Sequence, residues 1–235
     1  MKRLLLSALA VLFTASITFA QEDQAPQNPK TLPMFGGIMK TEQQQKQDEK
    51  FLKSCDLNFK TRQEASKFFM ERGWEYYAEG QIDTAMYRFN LAWLLNPDNG
   101  ETYWAFGLVT AAYDKQDEAL KLYEKALVYQ PKNSLLHSDI AAAHLNLYKV
   151  KNKKKHLKNA SKSLNEAITL DATNSFALYT LSEVAYLDED YTGAWTYLHQ
   201  ARELNMANLN YAFLTELMEK MPDPKGFFRA DAKTE

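Results

Sequence analysis

The chain has 235 residues, of which 46% are hydrophobic and 25% charged, with a formal charge of −2. That balance suits a globular protein with one continuous core and excludes a strongly basic protein drawn to nucleic acid or anionic lipid by net charge. The single cysteine, Cys55, excludes an internal disulfide, so the fold must be held by packing, and a half-buried thiol near a helix end is expected there.

Met1, Lys2 and Arg3 precede an uncharged apolar run from Leu4 to Phe19, then Ala20 and the polar Gln21-Glu22-Asp23-Gln24. A basic start, an apolar stretch and small residues at Thr18 and Ala20 have the order of a secretory signal peptide over 1–20, cut after Ala20. The mature protein is therefore expected to be exported, periplasmic or secreted. Uncut, the run would be a short anchor, but it falls short of the roughly 20 apolar residues a span needs. No other segment is apolar enough, so no transmembrane helix is expected after signal removal. Removing Lys2 and Arg3 with the signal takes the charge to about −4.

Residues 21–40 carry Pro26, Pro29, Pro33, Gly36 and Gly37 among Gln and Asn, which predicts a flexible linker. Residues 41–61 follow as a helical segment: Thr41 is a natural N-cap, acids come early, and little apolar surface is available, so a solvated helix loosely packed on the body is expected. The last residues, 222–235, hold two prolines, a glycine and charges, and a mobile tail is predicted.

Between these ends the chain repeats itself. Ala85, Ala119, Ala160 and Ala194 are spaced 34, 41 and 34 residues apart, and Ala92, Ala126, Ala167 and Ala201 keep the same intervals, as do Phe89, Tyr123, Leu164 and Leu198 between them. Gly73 and Gly107 are 34 apart, and so are Pro97 and Pro131. Alanine, a bulky residue four on, and alanine three further share one helical face. The small residues let two helices approach closely while the bulky one fills the groove between them. Each proline stops the second helix of a hairpin, because it lacks the N–H and disfavours helical geometry in its predecessor. The unit is a helix-turn-helix of about 34 residues.

This order resembles the tetratricopeptide-repeat (TPR) family, whose pattern is a bulky residue, Leu-Gly, Tyr, then Ala, Phe, Ala and Pro. The first repeat, from Ser66, supplies Phe69, Gly73, Tyr76, Ala85, Phe89, Ala92 and Pro97; the second, from Gly100, supplies Tyr103, Phe106, Gly107, Ala119, Tyr123, Ala126 and Pro131. The third and fourth, from Ser134 and Ser175, keep the alanines but replace the glycine by Ala141 and Ser182. The stretch from Arg88 to Gly107 also looks like exported bacterial members. The implied fold is all-α: a solenoid of about four repeats over 62–221, closed by a capping helix near Asn208 to Lys220.

The 41-residue interval places an insertion of seven residues between Ala141 and Ala160. Seven residues are about two helical turns, enough to lengthen both helices of the third hairpin by one turn and project it as a knob carrying Lys149, Lys151, Lys153, Lys154, Lys155 and Lys158. A lysine run admits anion binding, to lipid or acidic glycan, through Lys151, Lys153, Lys154 and Lys155. The simpler reading is a solvated hairpin tip, because charge runs commonly sit at exposed turns.

Catalytic signatures are absent: there is no GxSxG, phosphate loop, HExxH or cysteine pair. His137 and His144 share a helical face but occupy packing positions with no third ligand nearby, so packing is expected rather than a metal. A non-enzyme without cofactor or metal follows as the expectation.

In the TPR family the first helix of each repeat lines a concave face. Carried onto this chain, the resemblance implies a partner-binding groove formed by Met70, Trp74, Tyr77, Trp104, Leu108, Leu135, Phe176, Tyr179, Glu183 and Tyr186. Chaperone-binding members hold a terminal carboxylate with lysine, asparagine and arginine; here Met70, Trp74, Ala105, Leu135 and Asp139 stand in those slots, which argues against that activity. An apolar and aromatic groove suits a hydrophobic or amphipathic protein segment, unless the chain's own residues 21–60 or tail occupy it. The expected role is a non-catalytic binding scaffold of the cell envelope. The alternative is surface association through the lysine-rich hairpin.

Overall fold

The computed structural model describes residues 28–228, so the expected signal peptide over 1–20 and the end of the expected tail lie outside the described residues. Ten α-helices and no strand occur among the described residues. After α1 (Glu42–Asn58) come four hairpins: α2 (Arg62–Ala78) with α3 (Ile82–Leu95), α4 (Gly100–Ala112) with α5 (Gln116–Tyr129), α6 (Ser134–Lys151) with α7 (Lys154–Leu170), and α8 (Ser175–Leu187) with α9 (Tyr191–Leu204). Helix α10 (Tyr211–Lys220) closes the stack. Each hairpin packs on the next, giving the expected all-α solenoid of four repeats with a C-terminal capping helix.

The alanine periodicity is the seam of this stack. All eight repeat alanines are fully buried. A Cβ added at Gly73 would come within 2.2 Å of the Phe89 ring, and one at Gly107 within 2.3 Å of Tyr123. In the third repeat the same positions hold Ala141 and Leu164, both buried in one cluster, and in the fourth Ser182 and Leu198. Glycine goes with an aromatic ring and Ala or Ser with leucine, so the summed volume at the crossing changes less than either residue does. Helices α3 and α5 end at Leu95 and Tyr129, just before Pro97 and Pro131.

The inserted residues lengthen the third hairpin. Helices α6 and α7 have 18 and 17 residues, against 13 and 14 in the hairpins on either side. The turn between them uses Asn152 in the left-handed conformation, with φ 48°.

Two expectations of mobility need correction. Residues 28–40 are not a free linker: they form two short 3-10 turns, Pro29–Thr31 and Pro33–Gly37, laid against α3. The buried Asn90 side chain accepts the Phe35 N–H at 3.0 Å and donates to the Lys30 and Leu32 carbonyls at 3.1 and 2.8 Å. Those bonds replace the backbone partners that a proline-rich stretch cannot make for itself. The described part of the tail is likewise docked. Asp223 accepts from His199 Nε2 at 2.8 Å, both side chains are 1% exposed, and Phe228 stacks on Trp195 and His199.

Helix α1 starts as expected, with Thr41 and Gln44 forming a reciprocal capping box. Its Cys55 is buried against Ala65 and Leu95 rather than half-exposed.

Candidate functional site

The first helices of the four repeats, α2, α4, α6 and α8, stand side by side, and side chains bridge them in series. Trp74 on α2 donates its indole N–H to Glu101 Oε1 on α4 at 2.6 Å, and Trp104 on α4 donates to Asp139 Oδ2 on α6 at 2.7 Å. The two indole rings meet edge to face at 5.8 Å, and Tyr77 lies 5.9 Å from Trp74. Trp74, Tyr77 and Trp104 are all half-buried, which for rings of this size leaves apolar surface in water. Leu108 is half-buried beside them, while Leu135 and Phe176 are 54% and 41% exposed.

Two of the expected groove residues do not line an open face. Met70 is 1% exposed, in a core cluster with Met86 and Phe89 of α3 and Phe106 of α4. Its position on α2 falls on the boundary between the inner face and the hairpin interior, and a flexible thioether fills the interior. Tyr179 is 8% exposed because Phe213 of α10 lies edge-on to it at 5.8 Å. The closing helix covers that end of the face.

Glu183 and Tyr186 remain half-buried at the same end. Tyr186 packs on Phe213 at 5.5 Å, and the Tyr179 hydroxyl donates to Glu183 Oε1 at 3.3 Å. A cleft of about 300 Å³ opens here between Lys149, Glu183, Tyr186, Phe213 and Glu216.

The face is more acidic than its aromatic content suggested. Burial pushes the Asp139 carboxyl up to about 6, against the opposing effect of the Trp104 N–H. Burial also raises Glu183, with Lys149 and the Tyr179 hydroxyl pulling the other way. No ion pair involves Glu101, Asp139 or Glu183 among the described residues. Asp139 stands in one of the inner-face slots named from the sequence, and Glu101 lies beside Trp74 at the start of α4; what the sequence does not show is that each accepts an indole N–H from the first helix of the preceding repeat. Glu101 sits in the first turn of α4, where an acid reads as favouring the helix start, whereas Asp139 lies inside α6, away from the ends where capping would explain it.

The four lysines of the alternative site are exposed on the projecting hairpin, yet two are committed. Lys151 pairs with Asp117 of α5 at 2.6 Å and Lys154 with Asp188 at 3.0 Å. Lys153 and Lys155 are exposed at the tip. A cleft of about 570 Å³ beside the start of α7 is lined by Lys154, Lys155 and Lys158, but also by Asp188 and Asp190.

His144 meets His156 of α7, their Nδ1 atoms 3.3 Å apart, and not His137, whose Nε2 lies 2.9 Å from the Pro131 carbonyl. Burial, with His156 and Lys155 adding to it, lowers His144 to about 4. Among the described residues no group of three or more His, Cys, Asp or Glu side chains is arranged to hold a metal ion. No described helix is long and apolar enough to cross a membrane.

Solved structures share this arrangement. The Thermus thermophilus protein TTC0263, described as a thermophilic TPR protein, aligns with a TM-score of 0.56 at 18% identity, over 68% of this chain and 93% of that one. The chain has the tetratricopeptide-repeat fold. Pseudomonas aeruginosa PilF aligns at 0.54 and 20% identity, over 72% of this chain and 79% of its own, and MamA at 0.51 and 17%, over 63% and 82%. No protein-family model matches the sequence, and no curated protein does. Within a TPR solenoid the first helices line the inner wall, so the bridged side chains of α2, α4 and α6 lie on the concave surface.

Proposed function

We propose that this chain is a non-catalytic TPR scaffold that holds a protein or peptide partner against the inner face of α2, α4, α6 and α8. The observation that carries this is the continuous row of half-buried aromatic rings, Trp74 and Trp104 fixed by hydrogen bonds to the next helix and Tyr77 packed edge-on to Trp74, followed by the exposed Leu135 and Phe176. Rigid aromatic side chains with one surface in water are the type that most often anchors an interface. The described N-terminal residues 28–40 pack on α3, and the described tail residues 221–228 on α9, so neither fills this part of the face. The signal-like sequence of residues 1–20 supports a place in the cell envelope, periplasmic or secreted. A protein isolated from cells with its N-terminus at Gln21 is the expected mass-spectrometric result, and an intact Met1 would sink that part.

The test is site-specific photo-crosslinking in cells. A crosslinker at Leu135 or Phe176 is expected to capture a discrete partner, whereas one at Val128, which is 78% exposed on the second helix of its hairpin, is not. Equal capture at all three positions would remove the groove from consideration. The competing electrostatic role of Lys151, Lys153, Lys154 and Lys155 has less support, because two of the four are already neutralised by Asp117 and Asp188.

A further inference from the structure

The inner face has a charge as well as a shape, and the two together specify a ligand class. We propose that its occupant is a basic segment of a partner protein, with lysine or arginine side chains set against the rings of Trp74, Tyr77 and Trp104 and drawn by the carboxylates of Glu101 and Asp139. The proposal rests on the reading of this face as a peptide groove and adds the sign of the ligand's charge.

Each indole N–H engages one oxygen of its carboxylate, Oε1 of Glu101 and Oδ2 of Asp139. The other oxygen of each has no hydrogen-bond donor among the described residues. The indoles therefore orient the carboxylates without neutralising them, since a neutral N–H cancels no charge. A half-buried carboxylate lacking a counter-ion is costly to the free protein, and an incoming cation relieves that cost. The same cation gains from the adjacent ring faces, because an ammonium or guanidinium within about 6 Å of an indole centroid is attracted by the ring quadrupole, more strongly as water is excluded. Glu183 and Glu216 continue the acidic character at the α10 end, where Lys149 is the one cation lining the cleft among the described residues. An acidic segment would instead meet like charge at Glu101 and Asp139. The exposed Leu135 and Phe176 leave room for apolar side chains between the basic ones, so the fitting sequence is amphipathic and basic.

Two peptides of about twelve residues, one built from leucine and lysine and one with glutamate at every lysine position, separate charge from burial when titrated calorimetrically into the purified protein. The leucine–lysine peptide is expected to bind at least about tenfold tighter at about 0.1 M salt. In the double variant Glu101→Gln, Asp139→Asn, which keeps both indole hydrogen bonds, the preference should fall to about threefold or less, with an unchanged far-ultraviolet spectrum confirming the fold. Equal binding of the two peptides, lost on Leu135→Glu, would overturn the charge assignment and leave the groove standing. Binding of neither peptide would overturn both. A preference that survives the double variant but disappears with Lys153→Glu, Lys155→Glu would overturn the assignment to this face.

Discussion

Asn174 caps α8 and reaches back to the preceding repeat, its Nδ2 donating to Ser134 Oγ at 2.7 Å and to Ser138 Oγ at 2.9 Å. Its Oδ1 accepts the Ala177 N–H at 2.9 Å, and Ser134 in turn donates to the Ala167 carbonyl. Asn99 and Ser66 make the same connection between the first two repeats, with Ser66 bonded to the Ala92 carbonyl. The middle junction lacks it: Gly100 stands where the serine would be, with Tyr129 packed into the space a side chain would need, and Asn133 turns its amide to Gln130 instead.

Asn174→Ala should therefore cost more than Asn133→Ala. Both lose an N-cap, worth about 1 kcal/mol, but Asn174→Ala also removes the two hydrogen bonds to the Ser134 and Ser138 hydroxyls, at a further roughly 1–3 kcal/mol, although each serine keeps its own bond to a carbonyl. Urea unfolding of the two variants measures the difference. Equal losses would mean that the inter-repeat bonds add nothing to the cap.

The glycine–aromatic pairing yields a compensating pair of substitutions. Gly107→Ala places a methyl 2.3 Å from Tyr123, and overpacking of this kind costs about 1–3 kcal/mol. Tyr123→Leu alone opens a cavity. Together they reproduce the Ala141–Leu164 crossing of the third repeat, so the double variant should be more stable than the sum of the single losses predicts. A coupling of about 1 kcal/mol or more in a double-mutant cycle is the expected outcome. Strict additivity would show that the crossing absorbs the methyl elsewhere.

The repeat seam is readable in the sequence because close helix approach admits few residue types: Ala85, Ala92 and their counterparts have no room to vary. The lengthened third hairpin follows from spacing alone. Met70 defeats the pattern because its repeat position lies on the boundary of the inner face: Ser138 at the same position is buried and the larger Trp104 stays half outside, while Tyr179 is buried because the closing helix covers it. The docked segments are illegible for a different reason. Asn90 looks like a stray polar residue in an apolar helix until it is seen to serve Lys30, Leu32 and Phe35, 55 to 60 residues away. Asp223 likewise reaches the buried His199 from beyond the closing helix, 24 residues away. Glu183 and Asp139 stand at inner-face positions in the sequence, but their hydroxyl and indole partners become visible only in the fold.

The Asp223 contact makes the tail a testable part of the fold. Burial raises this carboxyl, but the backbone N–H groups of Phe228 and Lys225 and the His199 side chain together hold it below the usual aspartate range. Trp195 adds an indole N–H bond to the Met221 carbonyl at 3.0 Å. Asp223→Ala should release residues 221–228, speeding their amide exchange and lowering the melting temperature, since the fully buried His199 loses its partner. The loss is expected at about 2–4 kcal/mol, below a fully buried ion pair because the freed tail lets water reach the ring. Unchanged exchange in 221–228 would show that Phe228 stacking alone holds the tail.

Asp139 provides a pH signature of the inner face. Its carboxyl is pushed up to about 6, whereas in an unfolded chain it titrates near 4. Between these values the folded protein binds more protons than the unfolded one, so this group's contribution to stability falls as pH rises from about 4 to about 6 and stays low above that. The other titratable groups facing it, the hydroxyls of Tyr77 and Tyr123, are both raised above their usual range by burial and then by the Asp139 charge, so neither ionises in this window. Glu183, also raised by burial, contributes a loss of the same sign, so the informative quantity is the difference between variant and wild type rather than either curve alone. Asp139→Asn keeps an oxygen for the Trp104 N–H and removes the buried charge. It should stabilise the protein by about 1–3 kcal/mol at roughly pH 7.5, with the advantage shrinking to nothing near pH 4. Urea unfolding across that range checks it. If the asparagine variant were instead less stable at about pH 7.5, the Trp104 hydrogen bond to an ionised acceptor would outweigh the cost of burying the charge.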